Sequence, residues 1–232
     1  MARALRFHNR RTAGRHLAQV LRNEGFAARR PLVLALPRGG VPVGYEVARA
    51  LRAPLDVFVV RKLGVPGHEE LALGAVSSGG VRILNREVVE ALNIPGEVID
   101  EVAQRELREL ERRECAYREG RPAPPVRGRT VILVDDGLAT GATMRAAVAA
   151  VRSAGPDRVV VAVPVAAPEA YDEFRREVDA VACLSTPDPF HAVGLWYQDF
   201  GQTDDAEVRE LLARAAHERA YEPSGLVAAH PS

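Results

Sequence analysis

The segment VILVDDGLATGAT (131–143) places two acidic residues directly after four aliphatic ones, with small residues and threonines following. The aliphatic part is typical of a buried strand, whereas Asp135 and Asp136 at its tip require a solvated or cationic partner. Small residues let a ligand approach the backbone closely, and the N–H groups at the start of a helix bind phosphate. The carboxylates would face hydroxyl groups or a metal ion. A sugar phosphate satisfies both parts of this site.

A second segment of the same form is LVLALPRGGVPVG (32–44), in which the loop carries Arg38, Gly39 and Gly40. A glycine-rich turn with an arginine suits a second anion, although a tight turn with a surface arginine is an alternative. A P-loop is excluded because it needs a Gly-Lys-Ser/Thr sequence. The only lysine of the chain, Lys62, follows Arg61 instead.

The elements that must position these loops alternate along the chain. Short apolar runs predict strands at 32–36, 55–60, 131–134, 158–165 and 178–184. Helical patterns lie at 12–25, 41–52, 97–120, 143–155 and 168–178. Nearly continuous apolar strands separated by helices predict an α/β fold: an open, mostly parallel, twisted sheet with helices on both faces. In such a sheet ligands bind at the carboxyl ends of the strands, where both loops would lie.

The length of 232 residues predicts a single domain, which we place at 1–220. Segment 61–80 is rich in glycine and has no sustained helical face, so we expect a flexible loop there. Segment 185–202 is expected to form a small hood over the site, and 221–232 a frayed tail.

The motif VILVDDGLATGAT resembles the signature of type I phosphoribosyltransferases, which bind phosphoribosyl pyrophosphate (PRPP). The likeness continues in order through LPRGG, which is similar to the family's pyrophosphate loop, and RKLG, which is similar to the start of its flexible loop. It covers most of residues 30–200. In its phosphate loop the chain is nearest to the adenine branch of the family.

The resemblance implies a role for each matching residue. Asp135 and Asp136 would bind the ribose hydroxyls, and Arg61 and Lys62 would reach the pyrophosphate as the loop closes. The 5-phosphate would be bound by Ala139, Thr140, Gly141, Ala142 and Thr143, and the pyrophosphate by Arg38, Gly39 and Gly40, in a loop where the family often has a non-proline cis peptide. Mg²⁺ would be held mainly by PRPP oxygens, with Asp135 and Asp136 as further candidate ligands.

The acceptor of the ribose phosphate is the open part of the resemblance. Ala139 stands where the 6-oxopurine branch has an aspartate, and Ala72 where the adenine branch has a glutamate. Glu69 or Glu70 could substitute, or could form a solvated pair. In the hood, the candidate acceptor-binding residues are Phe190, Val193, Trp196 and Asp199. Trp196 and Phe200 are equally compatible with packing aromatics.

Composition limits the other classes of protein to which the chain could belong. A formal net charge of +0 argues against a general nucleic-acid or membrane-surface binder. Cys115 and Cys183 form no CxxC pair, and the arginine-broken N-terminus predicts no signal peptide, so we expect a cytoplasmic protein. The resemblance implies a Mg²⁺-dependent transferase, commonly a homodimer, with a planar nitrogen heterocycle as acceptor.

A regulator of the same fold that senses PRPP or nucleotides with little catalysis is the alternative. Such a regulator would need a basic nucleic-acid face. The candidates for this face are Arg105, Arg108, Arg112 and Arg113, but interleaved glutamates favour a solvated, ion-paired helix.

Overall fold

The computed structural model describes residues 6–220, and a five-stranded parallel sheet forms its centre. The strands are β1 (Leu32–Ala35), β2 (Leu55–Val57), β6 (Thr130–Val134), β7 (Arg158–Val165) and β8 (Ala180–Ser185). Their order is β2-β1-β6-β7-β8, and every neighbouring pair runs parallel. The predicted parallel α/β fold is therefore confirmed.

Successive residues of these strands point to opposite faces of the sheet, and each face is covered by helices. On one face Val33 and Ile132 pack with helices α1 (Arg10–Asn23) and α2 (Gly40–Leu51). On the other face Leu34 and Leu133 pack with α5 (Ala142–Ser153) and α6 (Pro168–Glu177). All four helices agree with the sequence prediction to within two residues.

Segment 61–80 is mostly strand, which corrects the expectation of a loop. Three strands, β3 (Val60–Val65), β4 (His68–Ser77) and β5 (Val81–Leu84), form a separate antiparallel sheet. Leu63 and Leu73 are fully buried and belong to the same apolar cluster as residues of α4 (Gly96–Arg118). The signal that could have revealed the hairpin is Pro66–Gly67 between two apolar runs, because this dipeptide is typical of a tight turn.

The sequence analysis did not predict two of the helices, α3 (Arg86–Ala91) and α7 (Asp205–Ala220). On α4, Arg112 and Arg113 both donate to Glu109, and Arg105 donates to Glu106. These contacts agree with the ion-paired alternative for the arginines of this helix. The predicted tail, 221–232, lies outside the described residues.

The hood lies beside the N-terminal segment. Phe7 forms a parallel bridge with Tyr197, and its N–H donates to the carbonyl of Trp196 at 2.8 Å. Within the hood, residues Val193–Trp196 form a single 3-10 turn. Over residues 6–220, none of the helices has the length and apolar character needed to cross a membrane.

Candidate active site

The two loops predicted to bind anions lie against each other at the carboxyl edge of the parallel sheet. Their strands are neighbours, with Ala35 in register with Val134. A Cβ atom added to Gly39 would lie 2.1 Å from Oδ2 of Asp136, and one added to Gly40 would lie 2.6 Å from the carbonyl oxygen of Val134. A Cβ at position 40 would press on the backbone of the acidic loop that follows β6, and one at position 39 would displace the carboxylate of Asp136, so both positions favour glycine.

Asp136 is held by two residues that the sequence analysis did not single out, one at its carboxylate and one at its backbone carbonyl. The Nε of Arg10 donates to its Oδ2 at 2.7 Å, and the side chains of both residues are largely buried. The hydroxyl of Tyr197 donates to the backbone carbonyl of Asp136 at 2.6 Å. Arg10 is at the start of α1 and Tyr197 is in the hood, so two segments that are distant in the sequence meet at this strand end.

Burial changes the acidity of these groups. Desolvation raises the pKa of Asp135 well above its usual range, and the neighbouring charge of Asp136 raises it further. Desolvation also raises the pKa of Asp136, although the hydrogen bond and charge of Arg10 oppose this shift. Desolvation and then the charge of Asp136 raise the pKa of Tyr197, which keeps its hydroxyl a donor. Hydroxyl donors or a cation at this site would favour the ionised carboxylates.

Helix α5 begins directly after the acidic loop. Gly141 is in the left-handed region with φ 72°, and a Cβ there would also lie 2.7 Å from the ring of Phe174. Thr140 and Thr143 are exposed on either side of Gly141. Ala139 and Ala142 are also exposed. The first backbone N–H groups of a helix have no partner within it. Segment 139–143 therefore presents a helix N-terminus to solvent beside the two carboxylates.

Arg38 and Thr143 line the same pocket of about 370 Å³, although they belong to different loops. Arg38 follows a cis peptide bond at Pro37–Arg38, the non-proline cis peptide that the family resemblance implied. Its guanidinium is exposed and lies 3.7 Å from Asp205 on α7. Tyr117 donates to Asp205 at 2.7 Å in the same pocket.

Arg61 and Lys62 differ in their surroundings. The Nε of Arg61 donates to Glu106 of α4 at 2.8 Å, on the side of the hairpin that packs on that helix. Burial raises the pKa of Glu106, but hydrogen bonds from Arg61 and Arg105 outweigh it and leave that pKa lowered. Lys62 is exposed and lines a pocket of about 710 Å³ together with Thr143. Lys62, and not Arg61, therefore shares a pocket with Thr143 of segment 139–143.

The hood residues proposed to bind an acceptor differ in their surroundings. Val193 packs over the acidic loop, since a Cβ on Gly137 would lie 2.6 Å from its Cγ1. Phe190 and Trp196 stack on each other with ring centroids 6.5 Å apart. Asp199 is exposed and accepts a bond from the N–H of Gly201 at 3.1 Å.

Trp196 and Glu70 are the remaining acceptor candidates. Among the described residues, the Nε1 of Trp196 is buried without a hydrogen-bond partner. The side chain of Glu70 lies outside the described part of the structure. Within that part, no cluster of three His, Cys, Asp or Glu side chains is suited to a metal ion.

Comparison with known proteins identifies a matching family, similar curated proteins and a similar solved structure. The model of the phosphoribosyl transferase domain matches residues 5–198. Two Mycobacterium tuberculosis proteins, from strains CDC 1551 / Oshkosh and H37Rv, are provisionally named phosphoribosyl transferases and are each 48% identical over 209 residues. These residues are 90% of this chain but 47% of each relative, so the chain spans about half the length of these curated relatives. A crystal structure of a Thermus thermophilus protein, 46% identical, covers 90% of this chain and 98% of its own, with a TM-score of 0.80.

Proposed function

The chain belongs to the type I phosphoribosyltransferase family, and we propose that it transfers ribose 5-phosphate from PRPP to a nitrogen atom of a heterocyclic acceptor. The observation that carries the proposal is the contact between the two loops. Gly39 and Gly40 pack directly on Asp136 and Asp135, so the loop proposed to bind an anion is adjacent to the pair proposed to bind a diol. PRPP has a phosphate, a diol and a pyrophosphate in that order.

The ribose end of PRPP is bound by the acidic strand end. Asp135 and Asp136 accept hydrogen bonds from the two ribose hydroxyls, and the N-terminus of α5 binds the 5-phosphate through backbone N–H groups. Arg10 occupies Oδ2 of Asp136 in this structure. Ribose therefore binds to Asp136 through its other oxygen, or displaces Arg10.

The pyrophosphate end lies toward Arg38 and Lys62. Both side chains are exposed, and each lines a pocket that also contains Thr143 of the phosphate loop. Two carboxylates beside a phosphate site fit Mg²⁺, which prefers few protein ligands and several phosphate or water oxygens. When bound, Mg²⁺ would neutralise part of the charge on the departing pyrophosphate.

The transfer breaks the bond between the anomeric carbon and the pyrophosphate oxygen and forms a bond to the acceptor nitrogen, with inversion. The transition state resembles an oxocarbenium ion, so the enzyme acts mainly through charge and position. Arg38 and Lys62 stabilise the negative charge that accumulates on the leaving group. The antiparallel sheet β3-β4-β5 carries Lys62 beside the site.

A planar heterocycle is supported as acceptor by the position of the hood. Val193 covers the acidic loop, and Trp196 carries a buried Nε1 without a partner among the described residues. Phe190 is already stacked on Trp196, which favours a packing role for its ring. The regulatory alternative loses support because Arg112 and Arg113 of α4 are engaged by Glu109.

The test is ³¹P NMR of PRPP with Mg²⁺ and the protein, with and without a pool of purine and pyrimidine bases. We expect release of pyrophosphate that depends on a base, and splitting the pool then identifies the acceptor. PRPP that remains intact with every base, although it binds, would contradict the transferase proposal and favour a sensor.

A further inference from the structure

An open recess of about 1480 Å³ lies at the amino ends of the parallel strands, opposite the candidate active site. Pro54, Pro31, Thr130 and Asp157, which come at or just before the first residues of β2, β1, β6 and β7, line it. Seven arginines also line it: Arg22, Arg29, Arg30, Arg49, Arg52, Arg129 and Arg219. We call this feature the arginine recess.

The charge of the arginine recess departs from that of the chain. The whole sequence has a formal net charge of +0, yet seven guanidinium groups line this recess with one carboxylate, Asp157. Arg49 is partly neutralised by Glu46 at 2.7 Å. Within the described part of the chain, no ion pair with a carboxylate engages Arg22, Arg29 or Arg219. The recess therefore has an excess of positive charge that a bound anion would balance.

The position of Arg129 in the recess is fixed by hydrogen bonds. Arg129 is half-buried, and its Nη2 donates to the backbone carbonyls of Arg30 at 3.3 Å and Pro31 at 3.2 Å, which fixes the guanidinium. Burial lowers the pKa of Arg129, and the neighbouring charge of Arg219 lowers it further. Like charges in this arrangement repel each other, and an anion between them would relieve the repulsion.

Local structure accounts for only part of the cluster. Arg22 and Arg49 are in the last turns of α1 and α2, where a cation is favourable to the helix dipole. Arg30 and Arg52 have φ values of 47° and 52°, in the left-handed region that disfavours a residue with a Cβ and usually contains glycine or asparagine. A helix end does not itself require arginine at either position.

We propose that the arginine recess binds the polyphosphate group of a small anionic metabolite, at a site separate from that of PRPP. A guanidinium offers a planar pair of donors that matches phosphate oxygens. Proteins that bind single-stranded nucleic acid usually stack its bases on aromatic side chains, and no aromatic residue lines the recess within residues 6–220. The walls therefore recognise phosphate, and a concave site favours a compact ligand.

The test is isothermal titration of the full chain with tripolyphosphate, without metal ions and at about 0.15 M salt, where weak surface attraction is largely screened. All proteins carry Arg38→Gln and Lys62→Gln, so that the candidate active site contributes little to binding. The recess variant adds Arg22→Gln, Arg29→Gln and Arg219→Gln. We expect this variant to bind tripolyphosphate at least about tenfold more weakly, because three charged donors are removed.

A matched control removes the same charge elsewhere through Arg108→Gln, Arg175→Gln and Arg176→Gln, which are exposed on α4 and α6. An equal loss in this control would show a general charge effect and overturn the proposal. The proposal would also be overturned if the Arg38→Gln and Lys62→Gln protein did not bind tripolyphosphate. Tighter binding of a short single-stranded RNA that competes for the recess would overturn it as well. If the triple variant does not fold, Arg219→Glu alone replaces it, with the same expected direction.

The design separates this proposal from the transferase proposal. Tripolyphosphate binding is measured in proteins that lack two cations of the candidate active site, whereas base-dependent release of pyrophosphate needs those cations. Either result can therefore fail while the other holds.

Discussion

Arg10 donates through Nε to Oδ2 of Asp136 at 2.7 Å, which joins the start of α1 to the acidic strand end of β6. The same guanidinium donates through Nη1 to the carbonyl of Gly201 at 2.6 Å and lies 3.8 Å above the ring of Phe200. Arg10 therefore connects the acidic loop with the hood. Any ligand that binds to Asp136 must share or replace this contact.

We expect Arg10→Gln to lower the free energy of unfolding by about 1–3 kcal/mol, since it removes a charged hydrogen bond and leaves a largely buried carboxylate without its cation. Chemical denaturation at neutral pH measures this change. Arg11→Gln is the matched control, because its partner Glu207 is 3.9 Å away and both side chains are exposed. The control should stay within about 0.5 kcal/mol of wild type. Equal effects of the two variants would contradict the role given to Arg10.

The contact between the two loops predicts a second result. In Gly40→Ala the new Cβ would lie 2.6 Å from the carbonyl oxygen of Val134 and 3.0 Å from Cα of Asp135, both of which are backbone atoms. Overpacking of this kind costs about 1–3 kcal/mol of stability. Because the displaced atoms belong to the acidic loop, we also expect weaker PRPP binding, measured by titration calorimetry.

Gly96→Ala is the control for this substitution. Gly96 begins α4, and a Cβ there meets no atom of the described residues within 4 Å. Alanine is the better helix former, so stability should be unchanged or higher by up to about 1 kcal/mol. A destabilisation of Gly96→Ala as large as that of Gly40→Ala would argue against a local clash.

Part of this site could be predicted from the sequence because it is local in the chain. Asp135, Asp136 and the start of α5 lie within one strand–helix connection, and parallel strands bring the Arg38 loop to the same edge. Arg10 and Tyr197 are 126 and 61 residues from Asp136. A single arginine among 30 has no local pattern that marks it as the partner of a distant carboxylate.

The antiparallel sheet β3-β4-β5 and helix α7 were missed for reasons of pattern. In the stretch 61–80, glycines interrupt the alternation that predicts a strand, yet Leu63 and Leu73 are buried by α4. Tertiary packing therefore decided the structure of this segment. Helix α7 buries only Val208, Leu211 and Leu212, which is a single turn of apolar spacing in sixteen residues. So short a stripe is a weak signal of an amphipathic helix.

The adjacent cations Arg61 and Lys62 should have separable effects. Arg61→Gln removes a partly buried pair with Glu106 and should lower the free energy of unfolding by about 1–3 kcal/mol, while a folded sample retains most of its activity. Lys62→Gln, at an exposed position near the phosphate loop, should slow pyrophosphate release at least about tenfold with a smaller effect on stability. Steady-state kinetics and denaturation of both variants measure the separation. A large loss of kcat in folded Arg61→Gln would return this residue to the catalytic set.

The two thiols should differ in their response to pH. Burial raises the pKa of Cys183 from 9.0 to about 11, and its Sγ–H donates to the carbonyl of Ser185 at 3.3 Å, whereas Cys115 is exposed. At about pH 8.5, where an ordinary thiol is half ionised, a disulfide reagent should therefore modify Cys115 quickly and Cys183 slowly. Cys115→Ser should remove the fast phase alone.

Because the pKa of Cys183 is raised in the folded state, this residue also makes the free energy of unfolding depend on pH. The folded state keeps its thiol proton between pH 9.0 and about 11, while the unfolded state loses it. Because the folded state then binds more protons, the contribution of Cys183 to stability is complete below pH 9.0 and decreases as pH rises toward 11. Denaturation across this range should show a shallower loss of stability in Cys183→Ala than in wild type. Parallel curves for the two proteins would mean that Cys183 ionises at its ordinary pKa and is not protected by burial.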